Sequence, residues 1–468
     1  MTLSHDFADA LPELAVEQVP ETPIDPQLLM LNEPLAKELG FDPEWLKTEE
    51  GVLSLLGQNL PENAKPVAQA YAGHQFGQFN PMMGDGRAVL LGERTGTDGH
   101  LYDLHLKGSG PTVFAKRGDG RAPLGPVLRE HLVSEAMHHY GVPTTRSLAA
   151  ISTGHTAIRE RALPAGATVR VARSHLRVGT LQLALSRNSE EVLGKIADHA
   201  AKRFDLDSRR ELFEYTLDAQ AKLLAKWIGL GFVHGVMNTD NMSLSGETID
   251  YGPCAFLDDH EPKACFSSID IGGRYAYNRQ QKIAQWNMYR FAEAMVPILT
   301  DNPDDAIAYA SPILERYEEK QNSLIMAEFG RKLGLNPATG FQESTTELIN
   351  EWRAILVEFS PDHTQVHRSL TDGDIFDHLP DNERVRNWLS EWRSMDPDAD
   401  LMKRTNPIYI PRNHHVQHAV DRAVEGDLKD YETLYDVLLT PFTRRAGMDH
   451  LEGPGAGPDA TFITFCGT

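Results

Sequence analysis

At 468 residues the chain is longer than one hydrophobic core comfortably serves, so two or more packed units are expected. Its 45 Lys and Arg stand against 67 Asp and Glu, a formal charge of -22, which excludes broad electrostatic capture of nucleic acid. With 41% apolar residues and Gly and Pro scattered along the chain, neither a fibrous nor a disordered protein fits. No run approaches the roughly 18 apolar residues of a membrane helix, and residues 1–17 are acidic without a basic leader segment, so a cytoplasmic protein without a membrane partner is expected. Cys254, Cys265 and Cys466 are too few and too scattered for a disulfide scaffold or a four-ligand zinc site.

Residues 1–60 combine prolines, acidic residues and short apolar patches, and read as a wrapping arm. A sheet-rich unit is expected over 61–180, with β-prone runs at 88–92, 101–107 and 168–172. Inside it, Leu128, Leu132 and Ala136 recur every four residues and Gly141 and Pro143 follow, which predicts a helix over 126–140. A helical unit is expected over 181–445. Its clearest helix, 208–228, opens on a capping box of Ser208 and Glu211, and 279–299 and 345–359 also read as helices. Residues 446–468 are Gly- and Pro-rich and end in Cys466, the pattern of a mobile tail. The fold class is therefore α+β.

Gly84, Asp85, Gly86 and Arg87 form a turn before a strand, where glycines let backbone N–H groups approach phosphate, although an ordinary hairpin connection reads the same way. Lys107 closes the next strand, and Glu130 on the following helix is placed to meet its ammonium, as in the lysine–glutamate pair of protein kinases. After the 208–228 helix, His234 and Asn241 have the spacing of a kinase catalytic loop, but Val236 occupies the position of the kinase base and accepts no proton. The loop's only carboxylate is Asp240. Asp250, Tyr251 and Gly252 stand where kinases carry Asp-Phe-Gly, so Asn241 and Asp250 are candidates to share a divalent cation, Mg or Mn, bridging nucleotide phosphates. Arg170, Arg173 and Arg177 concentrate positive charge between the two units and suggest an anion nearby; Arg173 reads as a surface residue outside the site.

The stretches YAGHQFGQFNPMMGDGRAVLLGE, LKGSGPTVFAKRGDGRAPLGPVLRE, TVRVARSHLRVGT, HGVMNTDNMSLSGETIDYGPCAFLD and NPIYIPRNHHVQHA resemble the selenoprotein O (SelO) family of protein adenylyltransferases. The resemblance implies a protein-kinase-like bilobal fold and transfer of AMP from ATP to Ser, Thr or Tyr hydroxyls of protein substrates, with UMP from UTP also within reach. It implies ATP turned around relative to kinases, with Gly84, Gly86 and Arg87 on the nucleotide, and Lys107, oriented by Glu130, on its phosphates. Asp119 and Gly120 would meet the nucleotide's polar edge, Arg170 and Arg177 its inward-pointing phosphates, Asp240 would be the general base, and Asn241 and Asp250 the metal ligands. A monomer is expected, and a reversible Cys265–Cys466 disulfide is a candidate regulator.

Three rival readings are an ordinary γ-phosphoryl kinase, a nucleotide-binding scaffold without catalysis, and a thiol redox protein working through Cys466, the last disfavoured because the sequence has no Cys-x-x-Cys motif. Val236 weighs against the first, and an intact metal pair against the second. His414 and His418 have helical metal-ligand spacing but no companion carboxylate, so a surface or capping role is expected.

Overall fold

The structure is a computed structural model that describes residues 2–336, 340, 342–454 and 462–464. Its N-terminal part is built on one antiparallel sheet, whose strands are β1 (Ala15–Glu17), β2 (Gln27–Leu31), β3 (Val67–Gln75), β4 (Gln78–Gly84), β5 (Ala88–Thr95), β6 (Leu101–Lys107), β7 (Ala122–Pro123), β8 (Arg146–Ile158) and β9 (Ala162–Ala172). They run in the order β1-β3-β5-β6-β9-β8-β2, with β4 added to β3 and β7 to β9. The segment read as a wrapping arm thus supplies both β1 and β2, strands far apart in the order of the same sheet.

The pleat explains how a buried sheet carries charge. Leu104, Leu106, Val169 and Val171 point to one face and pack against Leu35, Leu39, Leu46 and Leu55 from the short helices Glu33–Glu38, Pro43–Leu46 and Glu49–Leu55. The arm therefore shields that side from water. His105 lies opposite Arg170, and Lys107 opposite Thr168, in the β6–β9 register. Lys107 and Arg170 consequently share the other face, toward the helix Leu124–His139, which spans most of the predicted 126–140 segment.

The remainder is largely helical. The helix Arg209–Leu230 begins with the Ser208 side chain accepting the Glu211 N–H at 3.2 Å, but the Glu211 carboxylate accepts the Asp207 N–H at 3.0 Å rather than that of Ser208, so half of the expected capping box forms. The helix ends at Gly231, whose φ of 75° is open to glycine at little cost. The predicted helices at 279–299 and 345–359 appear as Gln280–Leu299 and Glu343–Phe359. Phe232–Val233 and Ala255–Phe256 pair antiparallel, and this clasp brings the ends of the intervening loop together, with His234, Asn241 and Asp250 inside it. Among the described tail residues, Thr464 is docked: its N–H donates to the Phe266 carbonyl at 2.7 Å and its hydroxyl to the Pro253 carbonyl at 2.8 Å. Among the described residues no helix is long and apolar enough to cross a membrane.

Candidate active site

A cleft of about 510 Å³ separates the polar face of the sheet from the 234–250 loop, a size suited to a nucleotide. Lys107, Arg170, Arg177, Arg87, Asp240, Asn241 and Asp250 line it, together with Gly84, Gly86, Asp119 and Gly120. Glu130 lies behind this lining. Lys107 Nζ is 2.6 Å from Glu130 Oε2 and 2.9 Å from Asp250 Oδ1. Arg170 pairs through Nε with Glu130 and through Nη2 with Asp250 Oδ1, the latter at 3.3 Å. Two cations and two carboxylates thus alternate in a buried square.

Burial alone would raise the Glu130 carboxyl, but Arg170 and Lys107 pull it down to about 2. Asp250 likewise resists desolvation, because Lys107, Arg170 and Arg87 hold its carboxyl well below the usual range. Its φ of 69° is a left-handed conformation uncommon outside glycine, a strained placement of the kind met at functional sites. Asp240 is opposite in character. Burial pushes it up to about 6 against the pull of Arg177, and its Oδ1 has no hydrogen-bond partner. Asn241 donates its side-chain N–H to the Val236 carbonyl at 3.0 Å, which leaves the amide oxygen as its remaining acceptor.

Arg177 does not pair closely with any carboxylate among the described residues. Its guanidinium donates to the Asp240 carbonyl at 3.1 Å, lies 3.8 Å from Asp85 Oδ1, and stacks 4.4 Å above the Tyr71 ring. Asp85 in turn meets His105 Nε2 at 2.9 Å. Arg173 stands apart, donating to the Arg203 carbonyl at 2.7 Å.

The glycine turn departs from the sequence-based expectation. The Asp85 N–H is bonded to the Gln69 carbonyl at 2.9 Å and the Gly86 N–H to the Gly84 carbonyl at 2.8 Å, so these two amides are not presented to a phosphate. Gly84 is required for close packing instead: at φ 150° a Cβ there would lie 2.4 Å from the Phe114 ring. Gly120 is similar, since a Cβ would stand 2.1 Å from the Pro111 nitrogen. Asp119 commits its carboxylate within the protein, accepting the Ile158 N–H at 2.7 Å and pairing at 3.1 Å with Arg159, which also lines the cleft.

Over residues 3–440 the sequence matches the family described as protein adenylyltransferase SelO. The chain belongs to that family. It is 47% identical to the protein nucleotidyltransferase YdiU of Mycolicibacterium smegmatis, over 100% of this chain and 98% of the relative. It is 46% identical to that of Pseudarthrobacter chlorophenolicus, over 100% and 98% of the two chains. For the YdiU protein of Ruegeria sp. the identity is 44%, over 99% and 98%.

Several residues of this SelO-family nucleotidyltransferase that shape the cleft carry no local signal. Asn238 Oδ1 accepts from the Phe76 N–H at 3.0 Å and the Tyr275 hydroxyl at 2.6 Å, tying the β3–β4 turn and the 264–276 segment to the loop that holds Asp240. Thr239 Oγ1 accepts the His74 N–H at 2.7 Å and donates to Gln182 at 2.7 Å. The stretch containing Tyr71, Gly73 and His74 carried the family resemblance, but only contacts across the fold assign these residues work.

Cys254 is fully buried. Cys265 is half-buried, and burial together with Asp270, whose Oδ2 lies 3.4 Å from its Sγ, pushes the thiol up to about 11. Cys466 lies outside the described residues. His418 pairs with Asp430 at 3.2 Å on an exposed surface, and the described residues contain no cluster of three or more His, Cys, Asp or Glu side chains suited to a metal.

Proposed function

We propose that this chain is a bilobal, protein-kinase-like enzyme, with a nucleotide-binding lobe over 61–180 and a helical lobe over 181–445, that transfers AMP from ATP to hydroxyl side chains of other proteins. The observation that carries the reading is Asp240: its Oδ1 is buried without a hydrogen-bond partner in a cleft where Val236 accepts no proton. A substrate hydroxyl gives its proton to Asp240 as its oxygen bonds to the α-phosphorus. The bond from that phosphorus to the bridging oxygen breaks, and pyrophosphate leaves with the electron pair.

Lys107, Arg170, Arg177 and Arg87 meet the charge of the phosphates, the planar arginines being suited to two oxygens at once. Gly84, Gly86 and Gly120 keep the cleft wall close to the nucleotide by leaving room for Phe114 and Pro111, and Asp119 braces that wall through Arg159. Asn241 and Asp250 contribute an amide oxygen and a carboxylate, hard donors that fit Mg or Mn, which commonly takes one or two protein ligands and completes its shell with phosphate and water. When bound, the cation neutralises charge on the phosphates.

The test is incubation of the protein with candidate acceptor proteins and ATP labelled at either the α- or the γ-phosphate. Label from the α position alone is expected on the acceptor. Label from the γ position would overturn the reading in favour of a kinase, and no label in favour of a scaffold.

A further inference from the structure

Beside the mouth of the cleft, the segment after Cys265 presents cations that the acidic chain does not neutralise. Asp270 organises this segment: its Oδ1 accepts the Arg274 N–H at 2.8 Å and its Oδ2 the Tyr275 N–H at 2.7 Å. The turn this creates sends two neighbouring side chains to different tasks. Tyr275 reaches inward to Asn238, two residues before Asp240, with its hydroxyl 2.6 Å from Asn238 Oδ1. The Arg274 guanidinium lies on aromatic rings, 5.2 Å from the centre of Trp286 and 5.7 Å from that of Tyr275.

Arg290 lies 5.3 Å from the same Trp286 ring, and His74 meets that ring edge-on at 5.1 Å. Arg290 has a counter-ion, Glu293 at 2.6 Å. For Arg274 no carboxylate of the described residues lies within ion-pair distance, and its Nε is buried without a hydrogen-bond partner. A half-buried cation without a carboxylate partner carries a desolvation cost that a substrate carboxylate would relieve. Arg279 nearby spends its guanidinium on the carbonyls of Gly272 and Gly273, at 2.8 and 3.0 Å, and adds to the positive field. Apolar groups flank these cations: Ile271 is 98% exposed, Phe79 on β4 is 41% exposed, and Ile269 lines the cleft itself.

We propose that Arg274, held on Trp286, receives a carboxylate of the protein substrate, so that the enzyme prefers acceptor hydroxyls with an acidic residue close by and an apolar residue against Ile271 and Phe79. The inference rests on the AMP-transfer reading and deepens it by naming the substrate class. The partner is a protein segment and not a nucleic acid, since only a few cations stand here on a chain of formal charge -22. A planar guanidinium stiffened by ring stacking loses little freedom on pairing with a carboxylate, which favours recognition at this position.

The test uses synthetic peptides with one acceptor hydroxyl flanked by Asp, Asn or Lys at each nearby position, assayed for incorporation of α-labelled AMP. The wild type should favour the best Asp peptide over its Lys counterpart by about tenfold or more in kcat/KM. Arg274→Glu should reverse that order, and Arg274→Gln should bring the two peptides to near parity; these two variants guard against a loss that reflects misfolding of one. Label at equal efficiency on every peptide overturns the inference alone. Label on none overturns the AMP-transfer reading as well, and a variant Arg274→Glu that still prefers Asp assigns recognition elsewhere and sinks the role of Arg274.

Discussion

A methyl group on Gly73 would stand 3.1 Å from Asp240 Oδ1 and 3.2 Å from Thr239 Oγ1, so strand β3 presses on the residue proposed as general base. The carboxylate has room only because the strand lacks a side chain there. Gly73→Ala should displace Asp240 by a few tenths of an ångström and lower kcat by about tenfold, given how steeply rate depends on the placement of a reacting group. ATP affinity should change much less. Steady-state kinetics check this, and an unaltered kcat would mean that the Asp240 position does not limit the chemistry.

Removing the carboxylates should separate two roles. Asp240→Ala should lower kcat by roughly 10²- to 10⁴-fold, the range of a lost general base, while ATP binding persists. Asp250→Ala should lose turnover and metal-dependent nucleotide affinity together, because its carboxylate is the proposed cation ligand. Titration calorimetry with ATP and Mg, alongside AMP-transfer rates, distinguishes them. Equal loss of ATP affinity in both variants would contradict the division of labour.

The square formed by Lys107, Glu130, Arg170 and Asp250 has a pH signature. Glu130 is at about 2 in the folded protein against 4.5 for an ordinary glutamate. The unfolded chain therefore binds the proton more readily, so the contribution to stability is complete above about pH 4.5 and fades as pH falls toward 2. Glu130→Gln leaves Lys107 and Arg170 with Asp250 alone and should cost about 3 kcal/mol or more at pH 7. Urea unfolding at pH 7 and at pH 3.5 should show the gap between wild type and variant narrowing at the lower value. A gap independent of pH would assign the stability to packing.

Arg412 makes a prediction outside the cleft. It is fully buried, with Nη1 2.6 Å from Asp258 Oδ1 and 2.8 Å from Asp362 Oδ2. Arg412→Ala would remove the cation that Asp258 and Asp362 share, and should destabilise the helical part by about 3 kcal/mol. Denaturant titration measures this directly. A cost below about 1 kcal/mol would mean that water replaces the guanidinium at little expense.

What the amino-acid sequence determined by itself is element type and the cast of charged residues. Strand alternation up to Lys107, the four-residue apolar repeat around Leu128 and the Ser208 cap are local signals, set by side chains within one or two turns of each other. The spacing from His234 to Asn241 and on to Asp250 is local in the same sense, which is why candidate residues that share the cleft were legible before any coordinates. Only the tertiary structure decided which backbone and side-chain groups remained available to a ligand. The amides of Asp85 and Gly86 look free in the sequence, yet those of the folded chain are bonded to Gln69 and Gly84. The pairing of Asp85 with His105, the hold of Tyr275 and Phe76 on Asn238, and the place of residues 15–17 and 27–31 in the main sheet join segments distant along the chain. A donor or cation is committed or left open according to what packs against it, and that is a property of the assembled fold rather than of any window of sequence.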